Sequence, residues 1–100
     1  MSRSFGVNDH ISKARRHQDL PNIGPAMARD FLLLGIATPQ ELAHHDPFDL
    51  YRRLEALTGG RQDPCVLDTF MAAVAFAQGG PPLPWWHFTE PRKARYGQAW

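Results

Sequence analysis

Proline opens and glycine closes almost every segment of this chain. Pro25, Pro39, Pro47 and Pro64 each stand where a helix can begin, because a first helical residue needs no amide hydrogen and benefits from a fixed φ. Gly35, Gly59-Gly60 and Gly79-Gly80 follow at helical lengths, where a left-handed terminal residue is wanted. The punctuation predicts five helices, over about residues 9–18, 25–34, 39–45, 47–58 and 64–78. Thr38-Pro39-Gln40-Glu41 reads as a capping box, and Asp46 and Asp63 as caps whose side chains accept first-turn amides. Phe48, Leu50, Tyr51, Leu54 and Leu57 form one apolar stripe on the fourth helix. Leu67, Phe70, Met71, Val74 and Ala77 form a face of the fifth, and Val66, Ala73 and Phe76 make most of its remainder apolar. The fifth is therefore the expected central, most buried helix. No strand pattern appears, so the fold class is all-α.

One hundred residues with 43% hydrophobic content make one small domain with a single core. Pro81-Pro82-Leu83-Pro84 cannot be helical and reads as an extended connector. The expected layout is a flexible N-terminus over 1–8, a helical domain over 9–80, and an extended C-terminal segment over 81–100 with a basic tail. That segment packs through Trp85 and Trp86; from about Lys93 it has little to bury and is expected to be disordered unless Tyr96 and Trp100 dock. No apolar run is long enough to cross a bilayer and none follows the N-terminal cations, so no membrane association is expected and a cytoplasmic location is the default. Cys65 is the only cysteine, which excludes an internal disulfide and a cysteine-based zinc site within one chain.

Leu20-Pro21-Asn22-Ile23-Gly24-Pro25-Ala26-Met27-Ala28, with Phe31-Leu32 and Gly35-Ile36 behind it, resembles the helix-hairpin-helix motif. Pro21 stops one helix and Pro25 starts the next. Gly24, with no side chain and access to unusual backbone angles, leaves its own amide and those of Ala26 and Met27 pointing outward with the positive end of the helix dipole. Ile23 turns inward as a plug, Ala28 lets the helices approach, Phe31, Leu32 and Leu34 supply apolar contact, and Gly35 caps the helix. Asn22 stands where DNA-binding hairpins usually carry their first glycine, and Asn tolerates a left-handed backbone better than most residues. Ala26 stands where those hairpins often place a cation; the nearest cations here are Arg29, Arg15 and Arg16. Leu57-Thr58-Gly59-Gly60-Arg61 echoes the first turn, giving a five-helix, tandem helix-hairpin-helix domain whose second unit is degenerate.

A wider resemblance runs through Gly35-Ile36, Glu41-Leu42, Asp46-Pro47, Leu50-Tyr51, Arg61-Gln62-Asp63-Pro64-Cys65-Val66-Leu67 and Trp85-Trp86. These residues resemble the small bacterial pathogenicity-locus family, often labelled mitomycin-resistance protein, with kinship to the C-terminal domain of the competence regulator TfoX. The resemblance covers roughly residues 11–95, with the Arg-Gln-Asp-Pro-Cys run its most specific part. It implies a helix-hairpin-helix fold and, through the drug-resistance label, an association without a named reaction.

The net charge is only +1, but its distribution is uneven. Residues 1–24 carry four basic and two acidic side chains, Arg92, Lys93 and Arg95 outnumber Glu90 after residue 84, and the middle is acidic by three. The leading expectation is weak, sequence-independent DNA binding: one phosphate at Asn22, Gly24, Ala26 and Met27, a second at Gly60 and Arg61, with help from Arg15, Arg16, Arg29 and Lys13. The alternative is a protein-interaction module that keeps the hairpin only for packing and presents Asp46, Asp49, Glu55 and Asp68 to a partner. Cys65 reads either as a thiol activated by a helix start or, more commonly for a free cysteine, as a small buried hydrophobe. His10, His17, His44 and His45 lack metal-ligand spacing and read as exposed side chains, so no metal is expected. Trp85 and Trp86 either stack on unpaired bases or fold back over the core. No nucleophile has a base at recognisable spacing and no cofactor fingerprint is present, so neither enzymatic activity nor a cofactor is expected. Oligomeric state is not legible.

Overall fold

Helix starts fall where the prolines put them. The structure, a computed structural model, describes residues 14–97. Its four α-helices there are α1 (Pro25–Leu33), α2 (Pro47–Thr58), α3 (Pro64–Ala77) and α4 (Thr89–Tyr96), with 3-10 turns at His17–Asp19, Pro39–His44 and Trp85–Phe88. No strand occurs among the described residues, in keeping with an all-α fold. Gly35, Gly59 and Gly79 all take positive φ. After α1, the Gly35 amide donates to Leu32 O and the Ile36 amide to Phe31 O, the paired bonds of a Schellman ending, and Ile36 and Phe31 are both buried.

Helix α3 is the centre, as its all-round apolarity predicts. Leu67, Phe70, Met71, Ala73, Val74, Phe76 and Ala77 are buried on it, and Phe70 meets Phe31 of α1 at 5.2 Å between ring centres. Leu50, Tyr51 and Leu54 bring α2 into the same core. Leu57, at the edge of that stripe, lies 58% exposed, and Leu32 turns outward from the α1 face that carries Phe31 and Leu34.

Four expectations fail for identifiable reasons. The predicted first helix is absent over its described part: Ala14 gives its carbonyl to Gln40 Nε2 at 2.7 Å, Arg16 is extended, and Asp19 takes the Arg15 and Arg16 amides at 2.8 and 2.9 Å. These local bonds compete with helical ones, and only the 3-10 turn remains before Pro21. Residues 9–13 of that prediction lie outside the described residues. The Thr38 side chain makes no capping bond; Glu41 reaches one residue further back, to the Ala37 amide at 3.0 Å, over a 3-10 rather than an α-turn. Asp63 likewise makes no side-chain cap, whereas Asp46 does, accepting from the Asp49 amide at 3.0 Å.

The fourth failure concerns the C-terminal segment, which is helical from Thr89 to Tyr96 instead of extended or disordered. Asp68, 1% exposed on α3, accepts from Arg92 Nε at 2.7 Å and from Thr89 Oγ1 at 2.8 Å. Tyr96 stacks on Phe48 of α2 at 4.7 Å between ring centres, and the Arg52 guanidinium lies over the Phe48 ring at 5.0 Å from its centre. Trp100 lies outside the described residues.

A buried pair broken on one side leaves an unpaired charge in the core, so D68A and R92A are each expected to lower unfolding stability by about 3–5 kcal/mol. The apolar double variant D68L/R92M should recover most of that loss; urea titration followed by circular dichroism checks both. His17 provides a second test. Contrary to the expectation of exposure it is 6% exposed, packs on Phe31 at 5.3 Å, and its Nε2 has no hydrogen-bond partner. Burial lowers its pKa against the opposing pull of the Thr38 and Ile36 carbonyls and the Glu41 charge. The neutral ring is thus favoured in the folded chain: stability is full above the unfolded value of about 6.5 and is lost as pH falls toward the lower folded value. The urea midpoint should drop between about pH 7 and 5, and H17L should flatten that slope.

Candidate nucleic-acid interface

Leu20 and Ile23 are buried on either side of the Pro21-Asn22 turn, so the loop is pinned by its two apolar residues. Asn22 holds the left-handed position, with φ 69°, and its side-chain amide donates to Leu83 O at 2.9 Å. That assignment moves the conformational demand off Gly24. Gly24 is extended, at φ −95° and ψ −175°, a geometry open to any residue. A Cβ there would meet no atom within 4 Å, so nothing in the chain itself requires a glycine at this position.

Helix α1 begins without a side-chain cap. Its first turn is closed by the Ala28 amide donating to Gly24 O. Pro25 has no amide hydrogen, which leaves those of Gly24, Ala26 and Met27 at the positive end of the helix. Gly24, Pro25 and Ala26 are exposed and Met27 is half-buried against the core. Arg29 lies exposed one turn beyond Ala26, on the same side of the helix. Arg15 and Arg16 are also exposed, but Asp19 sits among them: Arg16 pairs with it at 3.6 Å. The Arg16 and Arg15 amides hold the Asp19 carboxyl below its usual range, so this anion stays charged beside the cations.

The second turn has the opposite character. Here two full helices, α2 and α3, flank Gly59-Gly60-Arg61-Gln62-Asp63. The Gly59 and Gly60 amides both donate to Glu55 O, and the Gln62 amide donates to the Glu55 carboxylate at 3.1 Å. Arg52 pairs with the same carboxylate at 2.8 Å, and the Tyr51 hydroxyl donates to Gln62 O. The Gly60 amide is therefore already used within the chain. Arg61 is exposed and can reach outward, with the exposed Asp63 two residues after it.

The remaining candidates divide clearly. Cys65 is exposed in the first turn of α3, not buried as a core hydrophobe. No group of three or more metal-ligating side chains occurs among the described residues. Arg92 is consumed by Asp68, so neither belongs to the charged surface expected of it; Asp46 caps α2 and Glu55 closes its turn. A signal for the first pair was present: Asp68 is the one charged residue in the run 64–77, and a lone carboxylate in an apolar helix requires a partner. The Asn22–Leu83 bond, spanning 61 residues, had no comparable signal. No helix among the described residues is long and apolar enough to cross a membrane.

Among known proteins, the chain is 49% identical over 74 residues to the mitomycin resistance protein McrB of Streptomyces lavendulae, covering 74% of this chain and 70% of that one. No solved structure matches it. The family described as pathogenicity locus, Cdd1, matches over residues 10–94. With that span and that relative, the chain belongs to the pathogenicity locus family.

Proposed function

We propose that this chain binds DNA weakly and without sequence preference, through the backbone amides at the start of α1. The observation that carries the reading is the uncapped, exposed helix start at Gly24, Ala26 and Met27, held behind a left-handed Asn22. Fixed amides at a helix start favour a phosphate, and they contact it without reading bases. Arg29, Arg15 and Arg16 add charge, and Arg61 with the Gly60 turn supplies a second, side-chain contact. On this reading the fold is a helix-hairpin-helix variant akin to the TfoX C-terminal domain. The role is binding rather than catalysis, in the cytoplasm. The relative's name, mitomycin resistance protein, extends the reading to drug resistance, and a link to DNA damage belongs to the same proposal.

Few phosphates are neutralised, so affinity is modest and falls only gently with salt, with a logarithmic slope near the small number of contacts. Ala26 gives a clean test. A26E places a carboxylate in the first turn, which favours the helix dipole and so does not threaten the fold, yet opposes a phosphate. Fluorescence anisotropy with labelled oligonucleotides should show A26E binding at least about tenfold more weakly, and A26K binding more tightly with a salt slope steeper by about one. No binding by the native chain at low salt, or equal binding by A26E, overturns the reading.

One observation favours a protein partner instead. Leu32 and Leu33 are 60% and 62% exposed side by side on α1, and with Arg29 and Asp30 they line a recess of about 410 Å³. Partial burial raises the Asp30 carboxyl's pKa against the opposing pull of the Arg29 charge. If this patch carries the function, a partner captured from nuclease-treated bacterial lysate is retained by A26E and lost by L32S/L33S; a partner equally retained by both variants removes this reading.

A further inference from the structure

The 3-10 turn that carries the tryptophans folds back on α3, yet it leaves its second indole open. Trp85 is 36% and Trp86 64% exposed, although a tryptophan in a small domain normally buries most of its ring. They are nonetheless rigidly placed. The 3-10 turn Trp85–Phe88 is closed by the His87 amide donating to Pro84 O. On its N-terminal side Leu83 accepts from Asn22, and on its C-terminal side Thr89 and Arg92 are bonded to buried Asp68. The two indoles meet edge to face, 5.8 Å between centres and 85° between planes. Trp85 thus props Trp86 while leaving most of the second ring open.

The anchor on one side is the hairpin turn itself. Asn22, two residues before Gly24, holds Leu83, three residues before Trp86, so at full extension about 10 Å of backbone separates the clamp from Trp86. An aromatic face tied through this bond to the turn before an uncapped helix start matches the two halves of a nucleotide, a phosphate and a flat base. Aromatic platforms beside backbone contacts are how unpaired strands are held without sequence preference. The exposed cations Lys93 and Arg95 follow on α4.

We infer that Trp86 is a stacking platform for an unpaired base, set beside the Gly24 phosphate contact by the Asn22–Leu83 hydrogen bond, so that the preferred ligand is single-stranded DNA. The inference rests on the hairpin reading above. A duplex keeps its bases paired and stacked, and offers Trp86 nothing to stack on.

The test compares three ligands by anisotropy and intrinsic tryptophan emission: a thymine strand of about ten nucleotides, an abasic strand of equal length, and a duplex. The native chain should favour the thymine strand over the abasic one by about tenfold, with emission quenched only by the former. W86A should abolish that preference and the quenching, and W86F should keep most of the preference; Trp86 is exposed, so neither change reaches the core. Equal affinity of the native chain for thymine and abasic strands, or an unchanged preference in W86A, overturns the platform while leaving the phosphate contact standing. Absence of binding to all three ligands removes the phosphate contact and the platform together.

Discussion

The contact between Asp68 and Arg92 decides what the last part of this chain can be. A carboxylate 1% exposed in the centre of an apolar helix is untenable alone, and its partners Arg92 and Thr89 lie on a helix with few apolar residues of its own. The mean hydropathy of that helix is strongly negative, so burial of its surface does not hold it in place. The ion pair does, with Tyr96 on Phe48 as its apolar supplement. Once α4 is docked, the connector before it must run back along the domain, which brings Leu83 to Asn22. A bond in the core thereby positions residues at the Pro21-Asn22 turn.

What could be read from the residues follows the physics of each feature. Proline at a helix start and glycine at its end act through one residue's own backbone, and α1, α2 and α3 begin where this local rule puts them. Burial of α3 follows from an apolar sequence all round the helix, which leaves no face for water. The failures are all competitions between local bonds or contacts distant in sequence. Asp19 could cap a helix or pull back on Arg15 and Arg16, and only the fixing of Ala14 by Gln40 settles which. Arg92 and Lys93 are neighbours of the same type, yet one is buried on Asp68 and the other is exposed, a difference set by the register of α4 on α3.

The two turns divide the attributes of one motif between them. The turn between α2 and α3 has two proper helices, but Glu55 occupies its amides from within, its carbonyl taking those of Gly59 and Gly60 and its carboxylate that of Gln62, and Arg52 neutralises that carboxylate. It satisfies itself. The turn before α1 has only a 3-10 turn on its first side, so its regularity as a hairpin is reduced, yet its helix start is uncapped and open. Among Asn22, Gly24, Ala26 and Met27, it is Asn22 that takes the left-handed backbone, as its place in the turn suggests, while Gly24 is extended in a geometry open to any residue.

Electrostatics then limits what such an opening can hold. The cations near it are offset by Asp19, and the chain's net charge is only +1, so no broad field draws a polyanion in. A ligand must gain from short-range geometry: amides aimed at one phosphate, and a second contact that does not depend on charge. An aromatic face is such a contact, since stacking is far less sensitive to salt than ion pairing is. On the proposed reading, a weakly charged domain with an uncapped helix start at Gly24 and an exposed indole at Trp86 is better suited to a flexible strand, which can bring both its phosphate and its base to the protein, than to a stiff duplex that presents only the phosphate.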